Sequence, residues 1–205
     1  MAVQMSPIRV ATLSLAVLGC AAEPPGRSAP AEAFARLSPC VESRDAACIY
    51  RELDTRSRWS VQTMHRLLGE TRAVVERAYP AARRAEALGV WWDASDLSDP
   101  EALFAHLCRE RRCLDRIAAG FGAVTSTERL GPGAARVTTT RGGEFDLAEH
   151  EGEWGLAIFG ERLLGDQIHL ADKLEQVKKN ARAFEERRAA LGDPGDAATE
   201  KEDPR

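Results

Sequence analysis

Apolar and polar residues alternate along three neighbouring segments, Arg136-Val-Thr-Thr-Thr140, Glu144-Phe-Asp-Leu-Ala148 and Glu153-Trp-Gly-Leu-Ala-Ile-Phe159. A two-residue period is typical of β-strands, because successive side chains of a strand point to opposite faces of the sheet. The glycine-containing segments Arg141-Gly-Gly143 and His150-Glu-Gly-Glu153 lie between them and favour hairpin turns. The sequence therefore predicts an antiparallel meander.

The same alternation predicts which side chains of the sheet are buried. The predicted inward-facing residues are Val137, Thr139, Phe145, Leu147, Trp154, Leu156 and Ile158. Gly155 and Ala157 lie between the last three, so another backbone can approach the opposite face of that strand. A further strand is predicted at residues 124–129. A sheet with one apolar face needs a covering layer, and the helices predicted earlier in the chain can supply it.

Helical periodicity dominates the chain before the sheet, because apolar residues recur there at three- and four-residue steps. The pattern predicts helices within residues 43–54, 61–79, 81–89 and 100–120. Pro80 ends the second of these helices, since the residue before a proline is pushed out of helical geometry. Trp91 and Trp92 fall in a loop, and we expect one of them in the core and its neighbour on the surface.

A long helix is predicted at residues 166–191, where apolar residues alternate at four- and three-residue spacings. This stripe can form a short coiled coil or pack on its own domain, and we favour the second. Residues 192–205 are rich in Asp, Glu, Pro and Gly and are predicted to be disordered. The predicted fold is α+β: N-terminal helices packed on a three- to four-stranded antiparallel meander, followed by a long C-terminal helix, in one domain at residues 39–191.

The N-terminus carries Arg9 and then a short apolar run, residues 10–18, which is typical of an export signal and too short to span a bilayer. Val17-Leu18-Gly19-Cys20 resembles the lipobox of bacterial lipoproteins, although a smaller residue than Leu18 is usual there. The resemblance implies a signal peptide at residues 1–19 and lipidation of Cys20. An ordinary signal peptide whose cysteine joins a disulfide is the alternative.

The lipoprotein resemblance also implies a location. Residues 20–38 begin with a Pro-, Gly- and Ser-rich spacer that suits a tether, and several acyl chains on Cys20 would anchor it stably. Ala21 and Ala22 in place of an aspartate favour the outer membrane. We therefore predict a chain in the cell envelope, attached to the membrane through its lipid anchor and facing the periplasm.

Four cysteines remain beside Cys20, and an even number in an exported protein favours disulfides. Cys108 and Cys113 cannot pair within a continuous helix, where their Cα atoms would be about 8 Å apart. We favour two local bridges, Cys40–Cys48 and Cys108–Cys113, over pairing between the two segments. Neither spacing matches a zinc site.

No catalytic motif is present in the sequence. The chain has 28 Lys and Arg against 32 Asp and Glu, interleaved along helices, so we predict no nucleic-acid partner. The four histidines are scattered, and the acidic turn at residues 149–153 around His150 is most simply a polar hairpin tip. We predict no catalytic residue, metal site or cofactor.

Helices followed by a bent meander that ends in Trp154-Gly-Leu-Ala-Ile-Phe159 are loosely similar to nuclear-transport-factor-2-like domains. Two functional hypotheses follow. The first is a non-enzymatic lipoprotein that presents a helical or tryptophan-bearing surface to an unknown envelope protein. The second is a cone-shaped domain that binds or transforms a small hydrophobic ligand in a pocket between helices and sheet, lined by polar residues such as His65 or Asp146.

Overall fold

The computed structural model describes residues 29–190, in which the predicted meander forms one antiparallel sheet. Its strands are β1 (Val124–Gly131), β2 (Ala134–Thr139), β3 (Glu144–His150) and β4 (Glu153–Leu156), paired in the order β1-β2-β3-β4. Glu151 and Gly152 connect β3 to β4 with positive φ angles of 52° and 88°, as a two-residue hairpin turn requires. The predicted α+β architecture is confirmed, and β1 is the further strand predicted at residues 124–129.

The side chains predicted to face inward are buried up to Leu156, the last residue of β4. The buried residues of this inner face are Val137, Thr139, Phe145, Leu147, Trp154 and Leu156. Ile158 is 37% exposed, so the prediction is wrong at this position. The reason is that β4 ends at Leu156, and the chain turns at once: the N–H of Gly160 donates to the carbonyl of Ala157 at 3.0 Å.

The outer edge of β4 is covered by a short segment that precedes a helix. The N–H of Asp54 donates to the carbonyl of Leu156 at 3.0 Å, and the N–H of Leu156 donates to the carbonyl of Glu52 at 2.8 Å. Gly155 permits this approach, because a Cβ at that position would lie 2.5 Å from the backbone nitrogen of Asp54. The small face predicted from Gly155 is thus the place where another backbone packs.

The described part of the chain contains eight α-helices. They are α1 (Pro30–Ala35), α2 (Ser38–Glu42), α3 (Ala46–Arg51), α4 (Thr55–Ala78), α5 (Arg84–Leu88), α6 (Pro100–Glu110), α7 (Cys113–Gly120) and α8 (Gly160–Ala190). Asp45, Asp54 and Asp99 precede α3, α4 and α6, and each carboxylate accepts hydrogen bonds from N–H groups of the first turn. Such caps satisfy donors that the helix itself leaves unpaired.

Residues 30–38 belong to the domain, so the predicted boundary between tether and domain at residue 38 is wrong. Phe34 on α1 is only 1% exposed. Its ring lies 4.8 Å from that of Phe121 and 5.0 Å from that of Phe145, measured between centroids. Because Phe145 lies on the inner face of the sheet, these contacts make α1 part of the layer that covers that face. Burial of a phenylalanine stabilises a fold by about 1.5–3 kcal/mol.

The long helices α4 and α8 run side by side in the same direction. Ser57 lies beside Gly160 at one end, and Arg77 lies 4.0 Å from Glu185 at the other. The buried residues of α8 are Leu163, Leu170, Leu174, Val177 and Ala181. Packing of this stripe on its own domain is therefore confirmed as far as the described residues extend, whereas Leu191 and the predicted tail lie outside them. The helix begins six residues earlier than predicted, because Gly165 does not interrupt it.

Candidate functional site

Both predicted disulfides are present. The Cα atoms are 5.2 Å apart in Cys40–Cys48 and 5.0 Å apart in Cys108–Cys113. The second bridge joins α6 to α7, and Arg112 between them adopts a left-handed conformation with φ 51° and ψ 38°. This residue ends the helix that the apolar pattern alone would continue, so that Cys108 and Cys113 come within bridging distance.

The two disulfide loops lie next to each other and share one carboxylate. Asp115 is 3.4 Å from the guanidinium of Arg44 in the first loop and 3.2 Å from that of Arg112 in the second. Both arginines are largely exposed, so these ion pairs contribute little to stability. The arrangement connects two structural bridges and contains no free thiol.

Reduction of both disulfides is expected to lower the free energy of unfolding by about 2 kcal/mol for each bridge, because the unfolded chain regains loop entropy. The sequence separations are only 8 and 5 residues, which places the effect at the low end of the usual range. Denaturant unfolding with and without a reducing agent measures the difference. Peptide mapping without reduction that finds these four cysteines free contradicts the prediction.

Cys20, the predicted lipidation site, lies outside the described residues, as does the predicted signal peptide. Within residues 29–190, no helix combines the length and the apolar character needed to cross a bilayer.

The ligand hypothesis places His65 and Asp146 in a pocket, but each side chain forms hydrogen bonds with a different part of the domain. The Nε2 of His65 donates to the carbonyl of Leu97 at 2.9 Å. Asp146 lies on the outer face of the sheet, where Arg136 donates from Nε at 2.7 Å and from a terminal nitrogen at 3.1 Å. The structure therefore does not bring these two side chains together.

The acidic turn around His150 is at the tip of the β3–β4 hairpin, as predicted. The ring of His150 meets the ring of Trp59 edge-on, with centroids 5.7 Å apart, and Trp59 is 58% exposed. Across residues 29–190, no three His, Cys, Asp or Glu side chains converge closely enough to hold a metal ion. The contact with Trp59 is aromatic packing at the surface.

Shifted pKa values accompany structural contacts. The N–H of Ala102 and the hydroxyl of Ser98 lower the pKa of the Asp99 carboxyl, as expected of a helix cap. Burial raises the pKa of Tyr79, whose hydroxyl donates to the carbonyl of Val177 at 3.1 Å. The hydrogen-bonded carboxylate of Asp146 raises the pKa of Arg136. Asp99, Tyr79 and Arg136 lie on three different elements. Burial also raises the pKa of Tyr50, and the negative charges of Glu101 and Asp99 act in the same direction.

The four residues Gly89-Val90-Trp91-Trp92, here called the tryptophan turn, present an apolar tip. Val90 is 90% exposed. Gly89 has φ 60° and ψ −131°, a conformation that residues with side chains avoid. Both tryptophans are half-buried, so the expected division into one core and one surface residue is wrong. Trp91 packs against the main core, whereas Trp92 packs against a second apolar cluster between α4, α5 and α8.

A second apolar surface is an open groove of about 540 Å³ between α1, α2, α7 and the start of β1, here called the edge groove. Its apolar lining includes Phe34, Val41, Phe121 and Val124. Glu42 and Arg141 supply the charged groups. The only polar partner that the structure gives the Glu42 carboxylate is the hydroxyl of Ser38, at 2.9 Å. Arg141 donates to the carbonyl of Ala118 at 3.2 Å.

Comparison of the chain with known protein families, curated proteins and solved structures finds no match.

Proposed function

We propose that the chain is a bacterial envelope lipoprotein whose domain, held to the membrane by an acylated Cys20, acts as a non-catalytic interaction module. The tryptophan turn is the observation that carries the proposal. It combines an almost fully exposed Val90 with two half-buried tryptophans. A contiguous exposed apolar patch can mark an interaction site, and tryptophan is enriched among residues that dominate binding energies.

The surroundings of the turn favour a preformed contact surface. The guanidinium of Arg72 lies 5.3 Å from the ring of Trp92 and 3.1 Å from the carboxylate of Asp96. The hydroxyl of Ser95 donates to the carbonyl of Trp92 at 2.6 Å. A side chain that is already ordered loses less conformational entropy on binding, which strengthens the complex.

The alternative is a cone-shaped domain, similar to nuclear-transport-factor-2-like proteins, that binds a small hydrophobic ligand. It is less well supported, because His65 and Asp146 are held by Leu97 and Arg136 and do not face a common pocket. The edge groove lies between helices and sheet, but it is open to solvent, whereas small-molecule pockets bury most of the ligand surface. We therefore favour the interaction module.

A photo-crosslinking amino acid in place of Val90 is expected to give a discrete adduct with another envelope protein in intact cells, because this position is the most exposed part of the turn. The same amino acid in place of Ile168, which is 54% exposed on α8, is the matched control. Adducts are identified by mass spectrometry. An identical adduct pattern from both positions contradicts the assignment of the contact to the tryptophan turn.

Replacement of Cys20 by Ser is expected to prevent acylation, so that the chain is released from membranes or left unprocessed. The physical reason is that several acyl chains provide stable membrane attachment. Membrane fractionation and the intact mass of the mature protein measure the result. A wild-type mass without acyl chains, or a Cys20→Ser chain that is cleaved and still bound to membranes, contradicts the lipoprotein proposal.

A further inference from the structure

The two edges of the sheet differ in how they are covered. The edge of β4 pairs with the backbone of residues 52–54. On the other side, no strand within residues 29–190 pairs with the outer edge of β1. Seven of the eight residues of β1 are exposed, and a strand of this length extends for about 26 Å.

An open strand edge is a template for another strand, because alternate N–H and C=O groups point outward without a partner in the sheet. β1 contains no proline, which would block pairing. Its pairing with β2 is irregular at both ends but regular from Ser126 to Arg129. The middle of β1 therefore keeps the geometry that strand addition needs.

Val124 connects this open edge to the edge groove. It pairs with Thr139, which is buried on the inner face of the sheet, so the side chain of Val124 lies on that same face. Val124 also lines the groove and is 39% exposed. A chain added beside β1 would turn every second side chain toward the inner face, and one of them would enter the groove.

We propose that the edge of β1 and the edge groove together bind an extended peptide segment of a partner protein, one apolar side chain of which enters the groove. The charges of the groove specify the flanking residues. Glu42 and Arg141 have no oppositely charged partner within the described part of the chain. The segment that fits best therefore carries a basic residue on one side of the apolar residue and an acidic residue on the other.

This site is separate from the tryptophan turn, since it shares no residue with it. It also does not depend on lipidation of Cys20. The experiment can therefore use the full mature chain, residues 20–205, carrying Cys20→Ser, and its result is independent of the proposed membrane anchor.

The probes are fluorescent ten-residue peptides of alternating threonine and valine, with one lysine, one glutamate and a central alanine, valine, leucine or phenylalanine. Fluorescence anisotropy measures their dissociation constants. Binding is expected to tighten from the alanine probe to the larger apolar residues. Methylation of alternate backbone nitrogens of the tightest probe is expected to weaken binding by about tenfold or more, because it removes the donors that strand pairing uses.

Two valine variants supply the matched comparison. Val124→Asp is expected to weaken binding of the tightest probe by about tenfold or more, since the apolar groove then contains a carboxylate. Val90→Asp, an equal change in the tryptophan turn, is expected to leave binding unchanged. Circular dichroism checks that both variants remain folded, and Val124→Ala replaces Val124→Asp if the latter unfolds, with a smaller loss of binding expected.

Three results overturn the proposal. In the first, no probe binds below about 1 mM, the weakest affinity commonly measured for a specific complex. In the second, the methylated probe binds as well as the unmodified one, so the strand edge is not used. In the third, sedimentation shows a dimer of this chain that Val124→Asp dissociates, which assigns the edge to a second copy. If crosslinking from Val90 fails, the proposal for the tryptophan turn is affected, but these three tests of peptide binding at β1 are not.

Discussion

Replacement of Trp154 by Ala is expected to lower the free energy of unfolding by about 3–5 kcal/mol, the range for loss of a buried aromatic side chain. Trp154 is 3% exposed and lies on the inner face of β4. The guanidinium of Arg129 lies 4.8 Å from its ring centroid, and the guanidinium of Arg36 donates to its carbonyl at 3.1 Å. The substitution leaves a cavity between the sheet and α1. Denaturant unfolding followed by circular dichroism measures the loss.

His150→Ala is the control in the same hairpin. His150 is exposed, and within residues 29–190 the structure places it against the edge of the exposed Trp59 ring and 3.9 Å from Glu151. The expected change in stability is therefore at most about 0.5 kcal/mol, the usual bound for a surface site. If His150→Ala is as damaging as Trp154→Ala, the buried register of β4 and the structural interpretation of the acidic turn are both wrong.

Gly155→Ala is expected to destabilise the domain by about 3 kcal/mol or more, which is at the upper end for overpacking. The added Cβ would lie 2.5 Å from the backbone nitrogen of Asp54 and 2.6 Å from its Cα. Backbone atoms cannot rotate away as a side chain can, so β4 and residues 52–54 would have to separate. That movement breaks the hydrogen bonds of Leu156 with Glu52 and Asp54. Denaturant unfolding of the purified variant tests this expectation.

Two helical glycines provide the comparison for this substitution. Gly69 on α4 and Gly165 on α8 have open space where a Cβ would be. Alanine is expected to stabilise each helix by about 0.5–1 kcal/mol, because glycine loses more backbone entropy on folding. Gly155→Ala with an equally small effect contradicts the close approach of β4 to residues 52–54.

The sheet could be predicted from sequence because its signal is local. Val137, Phe145 and Trp154 alternate with polar or small residues, and each hairpin has its own glycine. Ile158 continues the alternation in the sequence but not in the structure. Its burial depends on where β4 ends, and the last residue of β4, Leu156, pairs with residues 52–54, about 100 positions away along the chain.

The start of the domain could not be predicted in the same way. Pro30 and the alanines around it have the composition of a linker, and Phe34 and Leu37 are the only large apolar residues in residues 20–38. A stripe needs several apolar residues at helical spacing before periodicity is visible. Phe34 is buried because the rings of Phe121 and Phe145 meet it, which is a tertiary contact.

The candidate sites also differ in whether they depend on a local sequence pattern or on contacts between distant segments. Helix geometry only excludes a Cys108–Cys113 bridge within a continuous helix. The sequence favours this local bridge over pairing between the segments, and the structure confirms the favoured pairing. The edge groove combines α1, α2, α7 and β1, so no single segment contains its pattern. The sequence places Trp91 and Trp92 in a loop, but it does not show that the short turn after Gly89 directs them to two different apolar clusters.

The parallel pairing of α4 with α8 also determines when the chain can fold. Ser57 and Gly160 are about 100 residues apart, so their contact belongs to the slow, non-local class of folding events. During synthesis, the part of α4 that packs on α8 stays uncovered until Leu170, Leu174 and Val177 have left the ribosome. A chain that completes its core this late cannot reach its final fold until most of its residues have been made. For a protein proposed to be secreted, that delay keeps it competent to thread through a narrow translocation channel.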